Sequence, residues 1–405
     1  MRRTTWSTFA LMLAILAVAA TVPAQQAKVP IPIGIIGDLS GPTSGLAEMA
    51  YSSRDYFNYL NEKKGGILGH EVDVLFVDGA EVIPIEVSNY KRIMTRHKPV
   101  YIFIWSTGGA KALRDPVNKI DRIPSIAESI SEELVDPQGL PYSFVIGPTY
   151  EDQIRLALET FKKQGGKRVA VARCNLDWCV SPTDRVIKEG TIGRLGLELV
   201  ETITWPARPT DLTSEVLRLK QANPDFIWLM DSVEGTVPFL RDLAKAGISP
   251  SKVIGIHWGR HPAVEAQLGK AADGFRTLEI FPDVDTLVKG GHPVGKEIDE
   301  YQAAHKGRRG QLRTWYYVRG WVKAKLVTEA VERVIKKAGA PPKDLAAFRK
   351  AVRDEFEGLS KFDVGAALPA INYKDHKGFV AARLVAVKNG KFEYASDWIQ
   401  VTPAK

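Results

Sequence analysis

The chain has 405 residues, of which 45% are hydrophobic and 25% are charged, and its formal net charge at pH 7 is +8. This length predicts two domains, or three. A basic balance can indicate nucleic-acid or membrane binding, but the Lys and Arg residues are spread along the chain, and we expect their one dense cluster, 306–309, to be a solvated loop. We therefore expect no nucleic-acid partner.

The N-terminus has the pattern of a secretory signal peptide. Arg2 and Arg3 precede an apolar run at 9–20 and a small-residue pattern at 22–24. No later stretch approaches the roughly 18–20 apolar residues that a membrane-spanning helix needs. We expect residues 1–24 to be removed on export to the periplasm, and we expect no direct insertion of the mature chain into the membrane.

From residue 31 to about 129, predicted strands alternate with predicted helices. The strands are 31–37, 72–77, 101–105 and 124–127, and the helices are 46–64, 87–96 and 113–120. This alternation is typical of βαβ units around a parallel sheet. Ligands of such sheets bind outside the carboxyl ends of the strands, which makes the residues after each strand candidates for a site.

Residues 106–109, directly after the third predicted strand, are Ser106, Thr107, Gly108 and Gly109. A helix that begins here leaves its first backbone N–H groups unpaired, and these groups favour an anion or a carbonyl. Gly108 would let a ligand approach the backbone, and the two hydroxyls would add hydrogen bonds. The alternative is a helix N-cap that binds nothing, and this stretch alone leaves both interpretations open.

The pattern begins again after 147–148, which predicts a second α/β half of similar size. Its strands are predicted at 143–146, 168–172, 197–204, 226–230, 253–256 and 276–280, with helices at 154–163, 183–195, 211–219 and 237–246. The remainder predicts three helices, 294–305, 315–337 and 345–356, and a hairpin of 380–387 with 392–399. These elements have no sheet of their own, so we expect the chain to cross between the halves more than once.

The sequence carries no common catalytic or nucleotide-binding motif, so we expect neither an enzyme nor a cofactor. His257 and His261 have the spacing of a metal pair on a helix, but Gly259 and Pro262 predict a loop, and we expect no metal. Cys174 or Cys179 with His257 could form a nucleophile and its base. In an exported chain a disulfide between these two cysteines is the better interpretation.

Aromatic residues collect where strands are predicted to end: Trp105, Tyr150, Trp178 and Trp258. A place in the core is the simplest explanation for any one of them. Four at predicted loop positions beside one crevice favour the apolar walls of a small-molecule pocket.

Several short pieces carry a family likeness. They lie at 33–42, 106–109, 123–126, 142–144, 177–179, 210–213 and 388–392. In their order and spacing the chain resembles the periplasmic solute-binding proteins of ABC transporters, in the branched-chain amino acid and amide group. The resemblance covers essentially the whole mature chain.

The resemblance implies an α/β fold of two Rossmann-like lobes joined by a three-crossing hinge, with crossings near Gly147, Phe281 and Gly358. The ligand is held in the cleft, and the lobes close over it. The implied lobes are 28–147 plus 282–358 for lobe 1, and 148–281 plus 359–405 for lobe 2.

The resemblance also implies roles for individual residues. Ser106, Thr107 and Ser129 match the positions that take a ligand carboxylate, and Tyr150 and Trp178 match the aromatic cover from the second lobe. We therefore expect a small-molecule ligand bound by hydroxyls on one side and by rings on the other.

One position departs from the pattern. The family's amino-acid binders place an acid near the end of the strand before His257, where it takes the ligand's ammonium group, and this chain has His257 and Trp258 there. We therefore expect a small organic acid or amide with an apolar or aromatic body rather than a standard branched-chain amino acid. Asp231 or Glu128 remains an alternative partner for an ammonium group.

Two functions from different classes stay open. One is a transport receptor that delivers its ligand to the membrane permease of an ABC transporter. The other is a periplasmic sensor or accessory protein that reports to a different membrane partner, since one fold serves both. We expect a monomer in either case.

Overall fold

The computed structural model describes residues 28–401. The predicted signal peptide, residues 1–24, and the last four residues of the predicted lobe 2 lie outside the described residues. Within the described part of the chain, no helix combines the length and the apolar character that crossing a membrane requires.

The first sheet has five strands, all parallel, in the order β2-β1-β3-β4-β5. They are β1 Ile31–Gly37, β2 Val72–Asp78, β3 Tyr101–Ile104, β4 Ser125–Ala127 and β5 Ser143–Phe144. Every residue of β3 and β4 is buried, because a parallel sheet is covered on both faces. The predicted parallel sheet is confirmed.

Three helices follow the first strands of this sheet: α1 Glu48–Lys64, α2 Ile83–Arg96 and α3 Thr107–Ala112. The third begins earlier than the helix predicted at 113–120, because Ser106 caps it; the predicted region holds only a wider helical turn at Pro116–Ile120. The hydroxyls after β3 therefore lie at a helix start and not in a loop.

The second sheet has eight strands. They are β6 Arg168–Cys174, β7 Glu198–Trp205, β8 Phe226–Met230, β9 Val253–Gly255, β10 Arg276–Glu279, β11 Ala381–Lys388, β12 Lys391–Tyr394 and β13 Ile399–Gln400. The order is β12-β11-β10-β9-β8-β6-β7, with β13 paired to β11. Strands β6 to β10 are parallel, and β11 adds to them antiparallel. The predicted hairpin turn is present, with positive φ at Asn389 and Gly390 as a type I′ turn requires.

The remaining helices are α4 Tyr150–Lys163, α5 Asp177–Lys188, α6 Thr191–Arg194, α7 Thr213–Ala222, α8 Val233–Lys245, α9 Pro262–Leu268, α10 Val284–Lys289, α11 Pro293–Ala304, α12 Trp315–Ala338 and α13 Leu345–Glu357. Thr149 and Asp152 form a reciprocal capping box that begins α4 four residues before the predicted start. Tyr150 and Trp178, expected in loops, therefore lie in the first turns of α4 and α5.

The chain passes between the two sheets three times: after β5, after β10 and before β11. Between the last two passages, α12 returns to pack against α1 of the first sheet. Ser52 donates to the carbonyl of Tyr317, and Ser53 donates to that of Gly320. A Cβ at Gly320 would lie 2.1 Å from the carbonyl oxygen of Met49, so only glycine allows this close approach. The fold is therefore two α/β lobes with mostly parallel sheets, as predicted.

Candidate functional site

A narrow cavity lies between the strand ends of the two sheets. Nine lining residues come from the chain that follows strands of the first sheet, and we call them the first-sheet rim: Thr43, Leu46, Met49, Glu81, Trp105, Ser106, Thr107, Glu128 and Ser129. Three come from elements of the second sheet, and we call them the second-sheet rim: Tyr150, Trp178 and Trp258.

The structure brings together seven of the ten ligand residues suggested by the sequence. They are Ser106, Thr107, Glu128, Ser129, Tyr150, Trp178 and Trp258. The other three, Gly108, Asp231 and His257, are not among the residues that line the cavity. Trp105 lines the cavity as well. The sequence had suggested it as one of four aromatic residues that form the walls of a pocket.

The hydroxyl corner of the first-sheet rim is built by the start of α3. The Ser106 side chain accepts a hydrogen bond from the backbone N–H of Gly109 at 2.8 Å, which is an N-cap bond. The Thr107 hydroxyl donates to the Ser129 hydroxyl at 2.6 Å. A Cβ at Gly108 would lie 2.6 Å from Cδ1 of Ile83, so packing of α2 against α3 accounts for this glycine.

The second-sheet rim is a set of packed rings. Nε1 of Trp258 donates to the Tyr150 hydroxyl at 3.2 Å, and the Trp178 ring lies 6.1 Å from the Tyr150 ring. Burial raises the pKa of Tyr150 to about 12, so its hydroxyl is neutral at physiological pH. Behind Trp258, the rings of Trp315 and Tyr316 stack upon it and fix its orientation.

Glu128 is held by two cations from α12, both fully buried. Nζ of Lys323 contacts one carboxylate oxygen, and Nη1 of Arg319 lies 3.2 Å from the other. Nη2 of Arg319 also donates to the carbonyl oxygen of Glu128 at 2.8 Å. Burial lowers the pKa of Arg319 to about 10, which leaves it charged at pH 7. An ammonium group of a ligand would have to compete with both cations for Glu128.

Asp231 directly follows β8, is buried, and is not among the residues that line the cavity. One of its carboxyl oxygens accepts from Nε1 of Trp205 at 2.6 Å, and the other accepts from the backbone N–H of Ser232 at 2.7 Å. Burial raises its pKa to about 7. Both carboxyl oxygens therefore accept hydrogen bonds from groups of the second lobe.

His257 is fully buried behind Trp258, with ring centroids 4.1 Å apart. Its Nδ1 lies 2.7 Å from the side-chain oxygen of Gln153, whose amide nitrogen donates to Pro148. The proton is therefore assigned to Nδ1. Burial, and then the charge of Arg319, hold the pKa of His257 well below its usual value, so the imidazole is neutral.

An acidic end of the cavity was missed by the sequence reasoning. Glu81 and Thr43 line it, and the Thr43 hydroxyl contacts the Glu81 carboxyl and accepts from Nε1 of Trp105 at 2.9 Å. Burial, reinforced by neighbouring carboxyl groups, raises the pKa of Glu81 to about 8. Glu81 follows β2 closely, so the rule that sites lie after parallel strands could have found it.

The predicted disulfide between Cys174 and Cys179 is present, with 5.6 Å between the Cα atoms. It joins the end of β6 to the first turn of α5, beside Trp178. The sulfur atoms and Asp231 come within 4.8 Å of one another, but a disulfide leaves no thiolate to ligate a metal.

Residues outside the cavity lining join the two lobes across the cleft. The exposed side chain of Arg208, after β7, donates to the carbonyl of Gly41 and to the Ser44 hydroxyl, both at 2.6 Å. On another side, Nζ of Lys111 on α3 lies 3.1 Å from Asp177 on α5. Polar contacts between surface groups therefore bridge the two lobes beside the cavity.

The chain is similar to proteins of known kind over nearly its whole length. A family model described as Periplasmic binding protein matches residues 30–391. Leu/Ile/Val-binding protein homolog 7 of Brucella abortus (strain 2308) is 22% identical over 372 residues, which are 89% of this chain and 88% of the relative.

Solved structures share the fold. A branched chain amino acid ABC transporter from Thermus thermophilus with bound valine gives a TM-score of 0.82 at 21% identity, covering 92% of this chain and 97% of that one. A fatty acid ABC transporter substrate-binding protein from Thermomonospora curvata gives 0.78 at 17% identity, covering 92% of both chains. Because the family model matches most of the chain, including every residue that lines the cavity, this chain belongs to the periplasmic binding protein family.

Proposed function

We propose that this protein is an extracytoplasmic solute-binding receptor, which captures a small ligand in the cavity between its lobes and delivers it to the permease of an ABC transporter. One observation carries the proposal: the lining comes from the strand ends of both sheets. A ligand bound there contacts both lobes at once, so it favours the closed arrangement over an open one.

We propose a ligand with a carboxylate or carbonyl group and an apolar or aromatic body, that is, a small organic acid, an amide or an amino-acid-like compound. The paired hydroxyls of Thr107 and Ser129 suit an oxygen of the ligand, and the rings of Trp178 and Trp258 suit a flat apolar body. The similar proteins are named for branched-chain amino acids or for fatty acids. Both kinds of compound carry a carboxylate, which supports a carboxylate-bearing ligand here.

We further propose that residues 1–24 direct export to the periplasm and that the mature protein acts as a monomer. The lobes remain as proposed from the sequence, 28–147 plus 282–358 and 148–281 plus 359–405. Contacts between receptor and permease depend on whether the lobes are open or closed, so ligand capture and delivery are linked through the same hinge.

The test has two stages. Native mass spectrometry of protein purified from its own periplasm identifies the retained compound by its mass. Uptake of that compound, labelled, is then measured in a strain that lacks the gene, with and without the gene restored. We expect uptake to fall on deletion and to return on restoration. Unchanged uptake of a compound that the protein binds would instead favour the sensor role.

A further inference from the structure

Several acidic residues lie near the end of the cavity that Glu81 lines. Three other carboxyl groups act on Glu81 electrostatically: Asp38 after β1, Glu86 on α2 and Glu234 on α8. Among residues 28–401, none of these four forms an ion pair with Lys, Arg or His. The guanidinium of Arg208 reaches the neighbouring loop but donates to backbone carbonyls and a serine.

The hydrogen bonds around Thr43 indicate that Glu81 is protonated in this arrangement. The Thr43 hydroxyl has one hydrogen, and it contacts carboxyl oxygens of both Asp38 and Glu81 while accepting from Trp105. Asp38 also accepts from the backbone N–H groups of Gly41 and Thr43, as a carboxylate does. The Thr43 hydroxyl therefore donates its one hydrogen to Asp38. In the contact between Thr43 and Glu81 the hydrogen must be carried by the Glu81 carboxyl, which donates it to the Thr43 oxygen.

Two buried polar atoms show that this part of the structure is incomplete on its own. Nε1 of Trp178 has no hydrogen-bond partner within the described chain, although the side chain lines the cavity and is only 5% exposed. One oxygen of Glu86, a fully buried residue of the acidic group, is also without a partner there. Buried polar groups are rarely left unpaired, so the N–H of Trp178, in the cavity lining, points to a ligand with a hydrogen-bond acceptor. The Glu86 oxygen is outside the lining and adds only to the uncompensated acidic groups behind Glu81.

We infer that the ligand, captured as proposed above, carries a protonated amine or amidine that binds at Glu81. As the cation enters, Glu81 releases its proton to solvent, and the N–H groups of the cation donate to the carboxylate. The rings of Trp105 and Trp178 line the same cavity. Glu81 lies on the first-sheet rim. The family resemblance implies an acid on the other side of the cleft, near the end of the strand before His257, where this chain has none.

Binding of a cation at Glu81 should depend on pH. The pKa of Glu81 is about 8, so below pH 8 the incoming cation must displace a proton. Affinity for the cation therefore rises between pH 6 and pH 8, by about tenfold per pH unit, and levels off above. Burial raises the pKa of Glu86 to about 7, so this group gains negative charge over the same range and reinforces the trend.

Matched pairs of compounds test the inference directly. Leucine and 4-methylpentanoate differ only in the ammonium group, as do phenylalanine and 3-phenylpropanoate; 2-phenylethylamine and benzamidine supply the cation without a carboxylate. Thermal shift at pH 8 ranks the panel, and titration calorimetry from pH 6 to pH 9 follows each binder. We expect stabilisation by ammonium- or amidinium-bearing members only. Close to one proton should be released per ligand bound at pH 6, and progressively less as the pH passes the Glu81 pKa of about 8.

Two variants sharpen the result. Glu81→Gln should weaken binding of the cation at least tenfold at pH 8 and abolish the rise with pH. Glu71→Gln makes the same change at an exposed side chain of the first lobe and should leave both unchanged. Deaminated acids that bind as well as their partners, or affinity that falls as pH rises, would overturn the inference. If no compound binds and protein from its own periplasm carries no ligand, the proposed function itself fails, and the cation site fails with it.

Discussion

The two rims of the cleft differ in what they offer a ligand. The first-sheet rim presents hydroxyls and a carboxyl group at Thr43, Glu81, Thr107 and Ser129, most of them fixed by short hydrogen bonds. The second-sheet rim presents three ring systems, Tyr150, Trp178 and Trp258. Directional bonds on one side and flat surface on the other suggest an order of events: the ligand is oriented on the first lobe and then covered when the second closes.

The largest effect is expected at Glu128, because it neutralises two buried cations behind the first-sheet rim. Glu128→Gln leaves Arg319 and Lys323 uncompensated, which should lower the free energy of unfolding by about 3–5 kcal/mol. Urea denaturation measures the change. Glu300→Gln, which removes an exposed partner of Lys63, should cost less than about 1 kcal/mol.

A partial rescue by Glu128→Gln combined with Lys323→Met would assign the loss to unpaired charge. Equal and small effects of Glu128→Gln and Glu300→Gln would show instead that the buried group does not depend on its carboxylate.

The next largest effect is expected on ligand affinity, from Trp178 on the second-sheet rim. Trp178→Ala removes a buried ring from the second-sheet rim and should weaken ligand binding by roughly 2–3 kcal/mol, which is roughly 30- to 150-fold. Trp178→Phe keeps an aromatic face but removes the unpartnered N–H, so it separates the two contributions. Calorimetric titration of the compound retained from the periplasm gives both numbers. Unchanged affinity in Trp178→Ala would exclude the ring from the site.

The disulfide supports the same rim from behind. Joint replacement of Cys174 and Cys179 by Ser should lower stability by ~2 kcal/mol, since the bond closes a short loop. Binding should weaken too, because the start of α5 carries Trp178. Thiol labelling of the non-reduced, denatured protein checks the bond itself, and two labelled cysteines would rule it out.

Much of this architecture could be predicted from the sequence, because it depends on local patterns. Alternating strands and helices predicted the parallel strands of both sheets, and the Ser106 cap followed from a hydroxyl between a strand and a helix. The cations on α12 could not be predicted, since Arg319 and Lys323 lie about 190 residues beyond Glu128 and only the return of the chain brings them together. The position of His257, which the sequence suggested for the site, could not be predicted either. The helical turn after β9 points Trp258 into the cavity and leaves the imidazole behind it.

A smaller effect is expected for the hydroxyl corner. Thr107→Val removes the hydrogen bond to Ser129 and one polar contact to the ligand at almost constant volume. The affinity for a carboxylate-bearing ligand should fall by about 1 kcal/mol, close to fivefold. Thr95→Val alters an exposed threonine of α2 and should change nothing. An affinity unaffected by Thr107→Val would leave the orienting role to Glu81 and Thr43.

The smallest effect on affinity is expected at Arg208, which links the rims at the mouth of the cleft and not inside it. Its bonds to Gly41 and Ser44 are exposed, so Arg208→Ala should cost less than about 1 kcal/mol of binding free energy. On the proposed hinge motion these bonds break as the lobes part, so their loss should shift the ligand-free protein toward the open arrangement. Small-angle scattering measures this shift: we expect a larger radius of gyration for Arg208→Ala without ligand, and the same smaller radius for both proteins at saturation. If wild type keeps one radius with and without ligand, the cleft does not close on binding, and the second-sheet rim is a fixed wall of the cavity.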